Sequence, residues 1–255
     1  MLLSKKLKGD ILIIGNSRSY RSFDLKFLQK KFNEKKVVNL SKDGNPSIIS
    51  EINLKNFHNL VGKPDTVIME FSGLFNDEQA ILNFRPFQGK NKEIDNIINL
   101  YYPKYFLFGE IFHLFKYNTN HTIFLLYKII NKNFNNILYG TTLKISNNQN
   151  QDTSSKKSFR NSKIFEENII SIKNIIIYCN ENNIDLRVII APISKFDKQT
   201  LEQRLIFKEI FPKLFIWDFS KVESLEQNDF YDINHLNSNG VIKFMNELEK
   251  SNFFN

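Results

Sequence analysis

The segment DILIIGNSRS, residues 10–19, decides the fold. Its first half is a short apolar run that ends at Gly15, which is typical of a buried strand followed by a turn. Four similar runs follow along the chain, at residues 36–40, 65–71, 185–192 and 214–219. Stretches of helical period separate these runs, at residues 24–32, 47–60, 165–180, 198–210 and 238–250. This alternation indicates an α/β protein rather than a helical bundle or a β-sandwich.

The strands are continuously apolar, which favours a parallel sheet that is covered by helices on both faces. We therefore expect a three-layer, flavodoxin-like sandwich with a mainly parallel five-stranded sheet. One domain over residues 1–255 is the simplest interpretation, with a helical insertion at about 78–162. Such sheets bind ligands at the carboxyl ends of their strands, so the loops after Gly15, Leu40 and Phe71 are the first candidates for chemistry.

The insertion departs from the simple alternation. Residues 105–116 place Glu110, His113 and Lys116 on one helical stripe, and residues 121–130 are similarly apolar. A helical subdomain packed on the core is expected, with a substrate lid, a dimer surface or a membrane-surface contact as alternatives. Residues 145–162 have almost no apolar content, which predicts a mobile loop.

Composition excludes several classes of protein. With 255 residues, 42% of them hydrophobic and 24% charged, the chain does not resemble a disordered protein. No charge-free stretch approaches the ~20 apolar residues that cross a bilayer, and the N-terminal residues lack the apolar region of a secretory signal. A soluble, cytoplasmic protein is expected. Cys179 is the only cysteine, so an intramolecular disulfide and a multi-cysteine zinc site are excluded, and its apolar setting predicts burial.

The net charge of +8 is compatible in principle with nucleic acid, an anionic membrane or an acidic glycan. The basic residues, however, occur as short pairs among acidic neighbours, without a zinc finger, an aromatic RNA-binding motif or an arginine-rich arm. We interpret them as a solvated surface and expect no nucleic-acid partner.

The first strand leads directly into GNSRS, residues 15–19, where the hydroxyl of Ser17 can face the crevice at the strand ends. That position suits a nucleophile, although Asn16 or Ser17 could equally serve only as a helix cap. The segment is not a P-loop, because no GxxxxGK[ST] follows. It is not a dinucleotide-binding fingerprint either, because the second and third glycines are missing.

A second candidate group lies in FYDINHLNSNG, residues 230–240, just before the last predicted helix. Asp232 and His235 are spaced so that the carboxylate can accept the imidazole N–H, fix its tautomer and stabilise the imidazolium. The chain has only four histidines. Packing or surface roles explain the other three, His58, His113 and His121. Because Ser17 and His235 both follow strands of one parallel sheet, they are expected to converge.

Together these segments resemble the SGNH, or GDSL-like, hydrolases and their O-acyltransferase relatives, in the style of members associated with bacterial surface polysaccharides. The resemblance implies that ILIIGNSRS supplies the nucleophile Ser17. It implies that NLSKDGNPS supplies the oxyanion-binding Gly44, and that the terminal block supplies Asp232 and His235. Both ends of the predicted core match, and the insertion does not.

Two departures from the family pattern stand out. GNS replaces the commoner GDS, which changes the residue before the serine to Asn16. The third block, normally GxND, reads FSGLFND at residues 71–77, with one residue too many between Gly73 and Asn76. Asn76 is therefore a candidate oxyanion donor or, alternatively, part of a structural turn. The N–H groups of Ser17 and Gly44 do not depend on that alignment.

The resemblance implies a serine esterase or O-acyltransferase with a Ser-His-Asp triad. An acylated small molecule or an O-acetylated carbohydrate is the expected substrate, with no metal and no organic cofactor. The alternative is a non-catalytic protein that keeps the fold and binds a glycan or another protein in the crevice.

Overall fold

A parallel sheet organises the described part of the chain. The computed structural model of the protein describes residues 9–76, 78–117 and 163–254. Five strands pair in the order β2-β1-β3-β4-β5, all in parallel register. They are β1 (Ile11–Ile14), β2 (Val37–Asn39), β3 (Thr66–Glu70), β4 (Asp185–Ile190) and β5 (Ile216–Asp218). This is the flavodoxin-like strand order, and the predicted fold class is confirmed.

Helices cover both faces of the sheet. In the described ranges they are α1 (Ser17–Ser22), α2 (Leu25–Lys31), α3 (Ser47–Leu60), α4 (Lys92–Tyr101), α5 (Pro103–Ile111), α6 (Lys163–Glu181), α7 (Lys198–Ile210) and α8 (Ser238–Lys250). Apolar side chains of α3, α6 and α7 pack against one face, and those of α2 and α8 pack against the other. The sheet is therefore the middle layer of three.

Strand β1 shows why the apolar runs are continuous. Leu12 and Ile14 belong to the apolar cluster on the α3 side, whereas Ile11 and Ile13 belong to the cluster on the α8 side. All four are fully buried. Successive side chains of a strand point to opposite faces, so a strand covered on both faces requires apolar residues at every position.

The bounds of α3, α7 and α8 agree with the prediction, but the region after β1 differs. A short helix, α1, begins at Ser17, where no separate helix was predicted. The extended backbone of Phe23 ends it, and Asp24 then caps α2 by accepting hydrogen bonds from the next turn. The predicted helix over 24–32 is therefore the second of two helices.

The described part of the insertion is helical. It comprises 3₁₀ helices at Gln79–Phe87 and His113–Tyr117 with α4 and α5 between them, and its apolar residues pack against the outer side of α3. The expected continuous helix over residues 105–116 is wrong, because α5 ends at Ile111. Lys116 nevertheless reaches Glu110, with Nζ 3.1 Å from Oε1. The predictions for residues 121–130 and 145–162 lie outside the described residues.

Cys179 provides a test of the packing between α6 and the sheet. Its side chain is 0% exposed, and burial raises the pKa of the thiol to about 12. We expect iodoacetamide at pH 8 to leave the native thiol unmodified and to alkylate it fully in denaturant, where an unperturbed thiol has a pKa of about 8.5. Intact mass measures the difference. Rapid stoichiometric alkylation of the native protein would contradict this packing.

Candidate active site

Ser17 lies at a sharp turn between β1 and α1. Gly15 adopts φ +141°, a conformation that favours glycine, and a Cβ there would collide with the hydroxyl of Ser19. Asn16 is the N-cap of α1, since its Oδ1 accepts a hydrogen bond from the N–H of Arg18 at 3.0 Å. Asn and Asp cap helices about equally well, so the GNS form preserves this turn. The cap is Asn16, and the Ser17 hydroxyl is left to make another contact.

That contact is with His235, in the loop between β5 and α8. Ser17 Oγ lies 2.8 Å from His235 Nε2. On the other side of the ring, His235 Nδ1 lies 2.8 Å from Asp232 Oδ2 and 2.9 Å from Oδ1. The structure thus brings together in one hydrogen-bonded chain the three side chains that the sequence singled out.

Hydrogen bonds inside the loop hold Asp232 in place. Its Oδ1 accepts the backbone N–H groups of Asn234 and His235, at 2.7 and 2.8 Å. The loop closes on itself through an isolated antiparallel bridge between Phe230 and Leu236. The three-residue spacing of Asp232 and His235 therefore lets one carboxylate bond both the backbone of the loop and the imidazole.

The surroundings of Asp232 fix the tautomer of His235. Partial burial acts to raise the pKa of Asp232, but its hydrogen bonds with His235 and the loop N–H groups outweigh burial and hold the pKa below its ordinary value. An ionised carboxylate only accepts hydrogen bonds, so Nδ1 carries the proton. Nε2 is then free to accept the hydroxyl proton of Ser17, which is the arrangement that a general base requires.

Gly44 lies in the turn that follows β2, on the same side of the sheet as Ser17. The residue is exposed with φ +73°, and the turn is closed by the N–H of Asn45 donating to Lys42 O at 3.1 Å. Lys42 N–H donates in turn to Gly15 O at 3.4 Å. This contact joins the Gly44 turn to the turn that carries the serine.

Asn76 follows a 3₁₀ helix, Phe71–Phe75, that accommodates the additional residue of the third block. Its Nδ2 donates to Asn45 O at 2.8 Å, which connects it to the Gly44 turn. A side-chain amide carries two hydrogens, and Asn45 uses one of them. The buried side-chain amide of Asn168, on α6, also holds the loop that ends at Asn76, because its Nδ2 donates to Asn76 O at 3.2 Å.

Arg18 is a further residue at this site, and the sequence pattern did not indicate it. Its side chain is buried between the ends of β3 and β4 and the loop that carries His235. Arginine is usually exposed, so its type alone gives no signal of burial. The available signal is its position, directly after the serine and inside the first turn of α1.

No family model matches this sequence, and no curated protein matches it. Within the described ranges, no group of three or more His, Cys, Asp or Glu side chains is arranged to hold a metal ion. None of the helices in these ranges is both long and apolar enough to cross a membrane.

Replacing Asn76 with Ala distinguishes an oxyanion donor from a structural turn. For the ester hydrolysis that the family resemblance implies, we expect a loss of roughly 10² to 10³ in kcat, which is the usual cost of removing one such donor. Asn168→Ala is the matched control, because it removes the hydrogen bond to Asn76 O and keeps the Asn76 side chain. It should lower Tm while leaving kcat within about threefold. If Asn76→Ala also keeps kcat within about threefold, Asn76 only braces the turn.

Proposed function

We propose that the protein is a serine ester hydrolase or O-acyltransferase of the SGNH type. The observation that carries this proposal is the chain of hydrogen bonds from Asp232 through His235 to Ser17. A serine hydroxyl becomes a nucleophile when a base lies within about 3 Å of it and a third group orients that base. These contacts meet that requirement.

In the acylation step, Ser17 Oγ attacks the ester carbonyl while its proton passes to His235 Nε2. The imidazolium that forms is stabilised by the Asp232 carboxylate. His235 then returns the proton to the leaving alcohol oxygen, the ester C–O bond breaks, and the acyl group remains on Ser17. The number of protons is unchanged over the step, so no other acid is needed.

In the deacylation step, a second hydroxyl attacks the acyl group on Ser17 while its proton passes to His235 Nε2. The bond between the acyl carbon and Ser17 Oγ then breaks, and His235 returns the proton to Oγ. Water as this nucleophile makes the protein a hydrolase and releases a carboxylic acid. A sugar hydroxyl makes it an O-acyltransferase and forms a new ester. The same three side chains serve both outcomes.

The negative charge on the carbonyl oxygen requires hydrogen-bond donors in both steps. Ser17 is the first residue of α1, so its N–H has no acceptor within that helix. Gly44 N–H belongs to the exposed turn joined to Gly15, and Asn76 is held beside that turn. We assign the oxyanion to these three donors.

An O-acetylated carbohydrate is the substrate class that we favour, on the basis of the family resemblance alone. The chemistry requires no metal or organic cofactor, and no nucleic-acid partner is part of the proposal. We also propose a cytoplasmic location, because a chain whose only cysteine is Cys179 gains no intramolecular disulfide from an oxidising compartment.

Labelling with a fluorophosphonate tests the nucleophile directly. We expect one adduct on the wild-type protein, since Ser17 Oγ displaces fluoride from phosphorus, and none on Ser17→Ala. The variant should also lose turnover of a small aryl acetate, with about 10⁶-fold as the upper guide. Intact mass and peptide mapping measure the adduct.

Ser19→Ala is the matched control for this labelling. Ser19 lies in the same helix, but its hydroxyl donates to Ile14 O at 3.3 Å. The variant should label and turn over like the wild type. A wild-type protein that takes no label and hydrolyses no aryl acetate would favour the non-catalytic binding protein instead.

The pH dependence of kcat/KM tests the base. Asp232 stays ionised over the range of the assay because its pKa is lowered, so the loss of activity on the acidic side should follow protonation of His235. His235→Gln should remove that limb together with the activity. His58→Gln, which changes a histidine bonded to Tyr178 on α6, should keep the wild-type profile. A wild-type profile in His235→Gln, or loss of the acidic limb in His58→Gln, would show that His235 is not the base.

A further inference from the structure

Arg18 has four hydrogen bonds although its side chain is almost completely buried. The residue is 4% exposed. Its Nη2 donates to Ala191 O at 3.0 Å and to Pro192 O at 2.6 Å, in the segment that follows β4. Its Nε donates to Glu70 Oε1, at the end of β3, at 3.4 Å. One planar guanidinium therefore joins the ends of two strands beneath the serine.

The fourth hydrogen bond reaches the loop that carries the base. Arg18 Nη1 donates to Asn234 O at 3.1 Å. The N–H of that same peptide unit belongs to His235 and donates to Asp232 at 2.8 Å. The peptide bond directly before the imidazole is thus held at both ends, by a cation on one side and by a carboxylate on the other.

Few other hydrogen bonds join the loop that carries His235 to the rest of the described structure. Most of the hydrogen bonds of residues 230–236 in the described ranges join the loop to itself or to Gln227, just before it. The two that reach the serine side of the site come from Arg18 and Ser17. The Ser17 bond is the one that breaks during catalysis, so Arg18 supplies the contact that persists.

We infer that Arg18 is a positioning residue, which fixes the loop carrying His235 at the distance from Ser17 that proton transfer requires. This inference rests on the proposed function. Because Arg18 follows Ser17 directly in the chain, one turn positions both the Ser17 hydroxyl and the Arg18 side chain that holds the loop with His235. Displacement of a catalytic group by about 1 Å can cost on the order of 10² in rate.

The geometry requires arginine in particular. Its donors are spread over a rigid fork, whereas the three donors of lysine share one nitrogen atom. A lysine at position 18 keeps the positive charge near Glu70 but cannot reach Asn234 O and the carbonyls after β4 together. Arg18→Lys therefore separates the positioning role from the role of the buried charge.

We expect Arg18→Lys to lower kcat on a small aryl acetate by on the order of 10², with KM within about threefold. The rate of fluorophosphonate labelling should fall in parallel. The limb of the pH profile assigned to His235 should not move, because the contact of His235 with Asp232 lies within the loop. A variant that was merely less stable would not show this pattern at temperatures where it is folded.

Arg204→Lys is the matched control. Arg204 on α7 likewise uses more than one nitrogen of its guanidinium. Its Nε and Nη2 both donate to Asp218 Oδ2, at the end of β5, at 2.9 and 2.5 Å. This variant should lower Tm while leaving kcat within about threefold of the wild type. Equal losses of kcat in the two variants would overturn the inference.

Amide hydrogen exchange provides a measurement that does not depend on activity. In Arg18→Lys, the Tyr231 and His235 amides, which are bonded within the loop, should exchange at least about tenfold faster than in the wild type, and in Arg204→Lys they should not. Unchanged exchange overturns the inference whether or not the protein is an esterase. Faster exchange in a protein that takes no fluorophosphonate refutes the proposed function and leaves Arg18 as the anchor of the loop.

A triple variant covers the case in which Arg18→Lys fails to fold. Two buried carboxylates face the guanidinium, Glu70 with Oε1 3.4 Å from Nε and Asp197 with Oδ2 4.0 Å from Nη1. Arg18→Gln with Glu70→Gln and Asp197→Asn removes all three charges, so no uncompensated buried charge remains in this cluster, and Asn at position 197 can still cap α7. The inference expects this variant to fold and to show the same loss of kcat and the same faster exchange in the loop. Wild-type kcat in the triple variant would overturn it.

Discussion

Parallel pairing of β1 with both β2 and β3 is the constraint on which the site depends. Parallel strands bring their carboxyl ends to one edge of the sheet. That edge receives the turn with Ser17, the turn with Gly44 and the 3₁₀ helix that leads to Asn76. After β1 the chain passes to β2 on one side and later to β3 on the other, so Ser17 lies at the switch point of the sheet, where ligands of such folds bind.

The sequence predicted those parts of the fold that have a local physical cause. Strands buried on both faces read as unbroken apolar runs, and α3, α7 and α8 begin and end where the pattern indicated. The separate helix α1 was missed because a six-residue helix has too few residues to show a period. β4 was predicted to reach Pro192 but ends at Ile190, and the carbonyls of Ala191 and Pro192 accept hydrogen bonds from Arg18 instead.

The candidate site was predictable to a different extent at each residue. Asp232 and His235 could be paired because their contact is local in sequence, and Ser17 could be added because it follows a strand of the same sheet. The environment of Asn76 could not be derived, since its contact with Asn45 depends on how the loop after β3 folds. Arg18 could not be placed because its acceptors are mainly backbone carbonyls far along the chain, and any residue type provides those.

The contact between Ser17 and His235 spans a sequence separation of 218 residues. A ribosome that synthesises about 5–20 residues per second completes the segment with Ser17 many seconds before the one with His235. Under the proposed function, the serine of the nascent chain therefore stays an ordinary alcohol of low reactivity until the loop before α8 has left the ribosome and docked. Activation of the proposed nucleophile thus requires a contact that is distant in sequence, and chains that lack this loop would be chemically inert.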